Sequence, residues 1–253
     1  MIAFSIDPEF TLIIDQLIGF EKRKIVVFFP FIPKERRIKP VKNLSLVAGA
    51  EHTCIKVSFS IDEEDFLPIN IKVCITTVLN QKAYAVEYIK IEQIPELNTF
   101  GRSILRKYTV SSMYRLANMA MSIFALKNKL PFIGKYDNDS LFICKSFQNY
   151  NKHVWTAPLR RETDKINIIN LGNLLETGEI LYDEDFLESY IKEKKGSFYT
   201  LEKLKADAEK KNKTTRSTSI EAEGKYEGKQ KRKFPKIKIQ KRFLKLLMLL
   251  GSL

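Results

Sequence analysis

Along the first third of the chain, apolar residues alternate with polar ones at a period of two. In Cys54–Ile61 the residues Ile55, Val57, Phe59 and Ile61 share one face, and in Ile69–Ile75 the residues Ile69, Ile71, Val73 and Ile75 do the same. That period marks a half-buried antiparallel strand. Lys24–Ile32 is instead a continuous β-branched and aromatic run, which strands also favour, with Pro30 and Pro33 marking its exit. The pattern predicts five strands: Lys24–Ile32, Ile38–Leu46, Thr53–Ile61, Ile69–Leu79 and Lys82–Glu92, with Asn80-Gln81 as a hairpin turn between the last two. Ahead of them, Ile2–Ile6 and Phe10–Ile18 flank Asp7-Pro8 and fit either a strand plus a short helix or two strands. Consecutive strands with short turns imply a barrel or a sandwich.

After Pro95 the period changes. Phe100, Ile104 and Tyr108, then Met113, Leu116, Ala120, Ile123 and Phe124, recur at three and four within each run, predicting an amphipathic helix over Asn98–Lys127. Asn98 or Thr99 caps its start, a break is expected near Thr109–Ser111, and Pro131 bars any helical continuation. So apolar a helix must cover an open end or face of the strands. From Pro131 to Lys192, Ser140–Phe147, His153–Thr156 and Lys165–Ile169 read as short strands. Asp183–Lys192 reads as a helix capped by Asp183, with Phe186, Leu187, Tyr190 and Ile191 as its buried stripe. The expected fold is α+β: mainly β, a small antiparallel barrel closed by a helix (residues 1–128), then a small mixed segment (129–195) and a basic tail (196–253). Whether 129–195 is a second small domain or an extension of the first sheet stays open at this point.

Charge sharpens that division. The chain carries a formal +13, but residues 193–253 hold +11 of it, so the folded body is nearly neutral. Lys213–Lys233 has almost no apolar residues and is expected to be disordered. Lys233–Leu250 sets Phe243, Leu244 and Leu246–Leu250 among lysines and Arg242, a composition suited to a membrane surface, an acidic partner or a groove. The alternative is a helix docked on the protein's own body. Three scattered cysteines, Cys54, Cys74 and Cys144, read as reduced and buried. With only His52 and His153 beside them, a metal cluster is not expected. No basic-then-apolar leader stands at the N-terminus, and no run of about 18 apolar residues offers a membrane span. A cytoplasmic protein, peripheral to a membrane at most, is the expectation.

The turn Asn43-Leu-Ser-Leu-Val-Ala-Gly49, lying among the strands and ahead of a helix, resembles the Asp/Asn-x-Ser-x-x-Gly turn of PilZ domains. Tyr84–Ile89 followed by Arg102–Tyr108 is similar to that family's last strand and closing helix, and the likeness spans about Ile18 to Lys127. The family is a small β-barrel, usually a bacterial cyclic di-GMP receptor, with an Arg-x-x-x-Arg pair a little over twenty residues before the turn. Here that window reads Glu21-Lys-Arg-Lys-Ile25, so only Arg23 stands in the arginine positions, and Gly49 comes one place late, after Ala48. The resemblance implies cyclic di-GMP as the ligand and Arg23, Asn43, Ser45 and Gly49 as the residues that hold it. Lysine does not reproduce arginine's bidentate grip, so the expected role is protein–protein contact, with a motor or polymer-synthase component as the partner the family implies.

Other charged clusters have plainer readings. Arg36 and Arg37 form a compact basic pair that could meet phosphate or a partner, or line a solvated loop, and Arg160-Arg161 has the same two readings. Asp62–Asp65 reads as a solvated turn, and His153 beside Trp155 as packing. No phosphate loop, nucleophile elbow or zinc-protease motif is present, and the chain is expected not to be an enzyme. The alternative function is nucleic-acid binding through the basic tail, which would be sequence-blind and steeply salt-dependent.

Overall fold

The computed structural model describes residues 3–7, 12–36, 41–62, 64–85, 92, 94, 95, 97–136, 140–144 and 154–194. Arg37, His153, the 196–253 tail and its Lys233–Leu250 segment therefore lie outside the described residues. The two lead-in pieces form strands, β1 (Ala3–Asp7) and β2 (Leu17–Glu21). They are followed by β3 (Lys24–Pro30), β4 (Glu51–Asp62) and the long β5 (Leu67–Ala85). Each pairs with the next antiparallel, and β1 closes the ring by pairing with β5. Five strands running up and down in turn leave the first and last pointing the same way, so this closing pair must be parallel, and it is.

Register divides the side chains between two faces. Leu17 lies beside Phe28, Val26 beside Ser58 and Cys54 beside Thr76. Ala3, Leu17, Val26, Phe28, Cys54 and Val78 thus share a face and, with Ile14 and Leu46 from loops, form a core that draws on all five strands and no helix. The opposite parity, Phe4, Ile18, Ile25, Val27, Phe29, Ile55, Val57 and Phe59, packs into a larger core continuous with the helices. Because β3 is buried on both faces, its sequence is a continuous apolar run and not an alternation.

The expected helix is two: α1 (Thr99–Lys107) and α2 (Val110–Lys127). Asn98 caps α1 by accepting from the Gly101 N–H at 2.7 Å. Tyr108 is extended, and Thr109 caps α2 through the Ser112 N–H at 3.2 Å. α2 lies against β3, β4 and β5. Beyond it come a two-stranded sheet, β6 (Phe132–Lys135) and β7 (Leu141–Cys144), then α3 (Glu162–Thr177) and α4 (residues 184–194). Asp183 caps α4 through the Phe186 N–H at 2.9 Å. Leu187, Tyr190 and Ile191 are buried in the same core as the barrel strands, and residues Met1–Lys195 form one compact unit.

Several expectations change. Ile38–Leu46 is not a strand: residues 38–40 lie outside the described residues, and Lys42–Leu44 is a 3-10 turn with the Leu44 N–H on the Val41 carbonyl at 2.9 Å. Its apolar residues, Ile38, Val41, Leu44 and Leu46, never kept a period of two. Asn80-Gln81 is not a hairpin turn. The strand runs through it, pairing with β4 up to Leu79 and with β1 from Asn80. Ala3 pairs with Asn80 and Phe4 with Lys82, so Gln81 is an extra residue, a β-bulge. It moves the core-facing parity from Ile71 and Val73 to Tyr84, whose ring meets Phe4 edge-on at 5.8 Å.

Lys165–Ile169 is not a strand either, but the first half of α3. Asn167, Asn170 and Asn173 recur on one helical face and grip neighbouring backbone. Asn167 accepts from the Ile133 N–H at 2.8 Å and donates to the Ile133 and Val154 carbonyls. Asn170 accepts from the Leu181 and Tyr182 N–H groups and donates to the Pro131 and Tyr182 carbonyls. Gly178, left-handed at φ +79°, ends the helix. Val154–Thr156 is irregular because its backbone bonds side chains: the Val154 and Trp155 N–H groups both donate to Asn118 Oδ1. Cys74 is exposed, not buried: it shares a face of β5 with the buried Val78 but lies beside Lys56, beyond the reach of that core; Cys54 and Cys144 are buried.

Candidate functional site

The turn that carries Asn43, Ser45 and Gly49 is built into one end of the barrel. Asn43 is exposed. Ser45 is buried, and its Oγ accepts the Ile14 N–H at 2.8 Å. The Leu46 N–H returns to the Ile14 carbonyl at 3.0 Å, and the Leu46 carbonyl accepts from Asn80 Nδ2 at 2.7 Å. Gly49 is left-handed at φ +82° with open space where a Cβ would stand, and its N–H bonds the Asn80 carbonyl at 2.7 Å. The glycine serves the backbone turn. Ser45 thus ties the β1–β2 connection to this turn, a task that occupies its hydroxyl.

Arg23 stands elsewhere. With Lys22 it forms the two-residue turn between the paired Glu21 and Lys24, and its carbonyl accepts from Ser60 Oγ at 3.4 Å. Ser60 and Glu51 lie toward opposite ends of β4, a separation on the order of 30 Å along a strand. The structure therefore brings Asn43, Ser45 and Gly49 together and leaves Arg23 at the far end. Arg36 ends a 3-10 turn, Lys34–Arg36, on the segment leaving the barrel near the Gly49 end, where the Phe31 N–H bonds the Thr53 carbonyl at 3.0 Å. In Asp62–Asp65, Asp62 Oδ1 accepts the Glu64 N–H at 3.0 Å, as in an Asx turn.

The Ser45–Gly49 end has a feature that the alternation did not reveal. Leu12 is 91% exposed, Val47 48% and Leu79 41%. Leu12 precedes Ile14 by two residues, Val47 follows Leu46, and Leu79 precedes Asn80, so the Ile14–Leu46–Asn80 hydrogen bonds gather the three around one turn. The signal in sequence was a long-range pairing, to which local periodicity is blind.

A second surface lies along α1, where Thr99, Arg102, Ser103, Arg106 and Lys107 line an open depression of about 440 Å³. Arg102 donates to the Leu97, Glu92 and Ile94 carbonyls at 3.1–3.2 Å. Arg106 Nη2 meets Glu92 Oε1 at 3.1 Å, both side chains more than 60% exposed. The Glu92 backbone and the Arg106 hydrogen bond hold the Glu92 carboxyl below its ordinary range.

The arginines at 160 and 161 are both engaged. Arg160 Nε meets Asp15 Oδ2 at 2.6 Å, and Arg161 Nη2 meets Asp164 Oδ2 at 2.6 Å. Burial raises both carboxyls above the usual range despite these partners. Asp7 is pushed up to about 6, chiefly by burial, against the pull of the Ser5 hydroxyl and Arg160 and with Asp15 adding to the rise. Burial also pushes the Cys54 thiol up to about 12, far from a reactive thiolate. Among the described residues, no group of three or more His, Cys, Asp or Glu could hold a metal ion, and no helix is long and apolar enough to cross a membrane.

No family model matches the chain, and no curated protein matches it. Among solved structures it is similar to the apo form of Mycoplasma genitalium RNase R, at 12% identity and a TM-score of 0.34, over 68% of this chain and 31% of that one. The same protein in complex with double-stranded RNA gives 10% and 0.32, over 72% and 38%. The chain thus spans about a third of the length of these proteins, and a likeness this slight carries no argument about fold or activity.

Proposed function

We propose that the protein is a non-catalytic adaptor that binds a protein partner through the barrel end bearing Leu12, Val47 and Leu79. The observation that carries this reading is the convergence of three exposed large aliphatic side chains on one hydrogen-bonded turn. Scattered exposed leucines are ordinary, but three aliphatic residues whose chain neighbours are hydrogen-bonded to one another at one end of a barrel offer a contact surface. Its chemistry calls for a partner that presents aliphatic side chains of its own. The sequence likeness to PilZ domains directs the search to a component of a bacterial motor or of a surface-polymer synthase. A cyclic di-GMP molecule gripped jointly by Arg23 and Ser45 forms no part of this reading, because those residues stand at opposite ends of β4.

The test is capture of partners by the full chain and by a Leu12→Ser, Leu79→Ser variant whose fold is checked by Trp155 fluorescence. A captured protein is then purified and its affinity measured directly. We expect at least about a tenfold loss in the variant, the scale of removing central apolar contacts. Equal affinities would end the reading, as would self-association through these residues in sedimentation runs.

A further inference from the structure

We propose that the basic depression on α1 receives an acidic peptide segment of a protein partner, with Glu92 standing where one of that segment's carboxylates would bind. The inference rests on the adaptor reading and adds a second contact surface to it.

Four features carry it. Arg102 and Arg106 are one helical turn apart, as are Thr99 and Ser103, so cations and hydroxyl donors alternate along the depression at about 6 Å. Side chains on one face of an extended peptide recur at nearly the same interval, so carboxylates at alternate positions would meet Arg102 and Arg106 in turn. Arg102 is fixed in place by three backbone carbonyls, which engage three of its five N–H donors, and its charge acts on Glu92, whose carboxylate hydrogen-bonds Arg106 instead. Finally, the site already holds a carboxylate: Glu92 on Arg106, in a pair so exposed that exchange for an outside carboxylate costs little.

The surroundings favour a peptide over a nucleic acid. Stacking of bases needs an open aromatic face, and the ring next to the depression, Tyr108, is packed against Phe66 at 4.8 Å with Lys107 over it at 5.4 Å.

The experiment uses the full chain and a fluorescein-labelled decapeptide of alternating glutamate and glycine, followed by anisotropy near physiological salt. The basic tail adds a background that neither substitution touches. Arg106→Glu with Lys107→Glu is expected to weaken binding about tenfold or more, since like charges then face each other. Glu92→Ala is expected to tighten it about two- to five-fold by removing the resident competitor. The tightening separates a binding site from a merely structural ion pair, which would show none. Unchanged affinity in the double charge reversal overturns the proposal, and so does unchanged or weaker binding in Glu92→Ala. A ten-residue oligothymidylate that binds at least as tightly, and with the same dependence on Arg106, overturns it in favour of a phosphate site. None of these results bears on Leu12, Val47 and Leu79, so the adaptor reading stands or falls separately.

Discussion

Arg160 and Asp15 are 145 residues apart in sequence, yet Nε of one lies 2.6 Å from Oδ2 of the other. Asp15 also accepts the Leu159 N–H at 2.8 Å, and the neighbouring Gln16 donates to the Thr156 carbonyl. The connection between the first two strands is thereby fastened to the loop ahead of α3. Asp15 is 2% exposed and Arg160 56%, so the two ends of the pair are not equivalent. Asp15→Ala leaves a buried N–H unsatisfied as well as an arginine unpaired, and should cost about 2–4 kcal/mol. Arg160→Ala opens the pair from its solvent side and should cost about 1–2 kcal/mol. Urea unfolding followed by the fluorescence of Trp155, the chain's single tryptophan, measures both. Equal costs would mean that the Leu159 bond contributes little.

The stripe of asparagines on α3 makes a graded prediction. Asn170 serves four backbone groups in bonds of which three are buried, whereas Asn173 bonds the Thr177 hydroxyl and the Glu179 carbonyl in a partly buried setting. Asn170→Ala orphans donors and acceptors alike and should destabilise by about 3 kcal/mol, against about 1 kcal/mol for Asn173→Ala. The same unfolding assay ranks them, and a reversed order would show that Asn173, not Asn170, anchors this face.

The asparagines also show where the sequence was legible and where it was not. Ile55, Val57 and Phe59 alternated plainly because β4 buries one face, and the α1–α2 break and the Asp183 cap were visible because caps are local chemistry. Lys165-Ile-Asn-Ile-Ile169 read as a strand because three isoleucines in five residues outweighed an Asn period of three whose partners lie in β6 and in the turn near residue 181. The Asn80-Gln81 slip in phase was visible, but a turn and a bulge produce the same slip. Only the pairing of β1 with β5 tells them apart. For the site, the local motif placed Asn43, Ser45 and Gly49 on one turn, while the position of Arg23 depended on strand register, which the motif does not encode.

Gly101 sets helix propensity against packing. Alanine would favour α1 by about 1 kcal/mol, but a Cβ there would stand 2.7 and 2.9 Å from ring carbons of Phe20 and 3.0 Å from Leu97. Overpacking of that kind costs about 1–3 kcal/mol. Gly101→Ala should therefore lose stability or at best break even, and a more stable variant in thermal unfolding would mean that β2 and α1 separate easily.

Asp7 gives a pH dependence whose sign is unusual for a carboxylate. Its folded value of about 6 lies above the ordinary 3.8, with burial as the main cause. The folded state therefore holds the proton more tightly than the unfolded chain. Its contribution to stability is full below pH 4 and fades as the pH rises through 6. Asp15, Arg160, Ser5 and Tyr114 are the groups that face it, and Asp15 shifts in the same direction. Asp7→Asn should remove most of the fall in stability between about pH 4 and pH 6.5, on the order of 2 kcal/mol, and should be the more stable protein at pH 7.5. Urea midpoints for both proteins across that range decide it, and parallel curves would place the titrating group elsewhere.

Gln81 sets the phase of β5 where the strand changes partner. As the extra residue opposite the Ala3–Phe4 step, it lets β5 present Ile71 and Val73 to the helical core before the bulge and Tyr84 after it. Deleting it leaves Asn80 beside Ala3 and brings Lys82 next in line beside Phe4, so strict alternation keeps Tyr84 on the face of Phe4 and Ile6. The deletion should therefore be tolerated, with a urea midpoint close to that of Gln81→Ala, which keeps the residue count and whose side chain is exposed. Hydrogen exchange at Phe4, Ser5 and Ile6 reads the outcome at the closing pair. Protection of these amides equal to that in the intact chain is the expected pattern. Rapid exchange there in the deletion, with β3–β4 amides still protected, would show that the ring needs the local twist of the bulge in order to close.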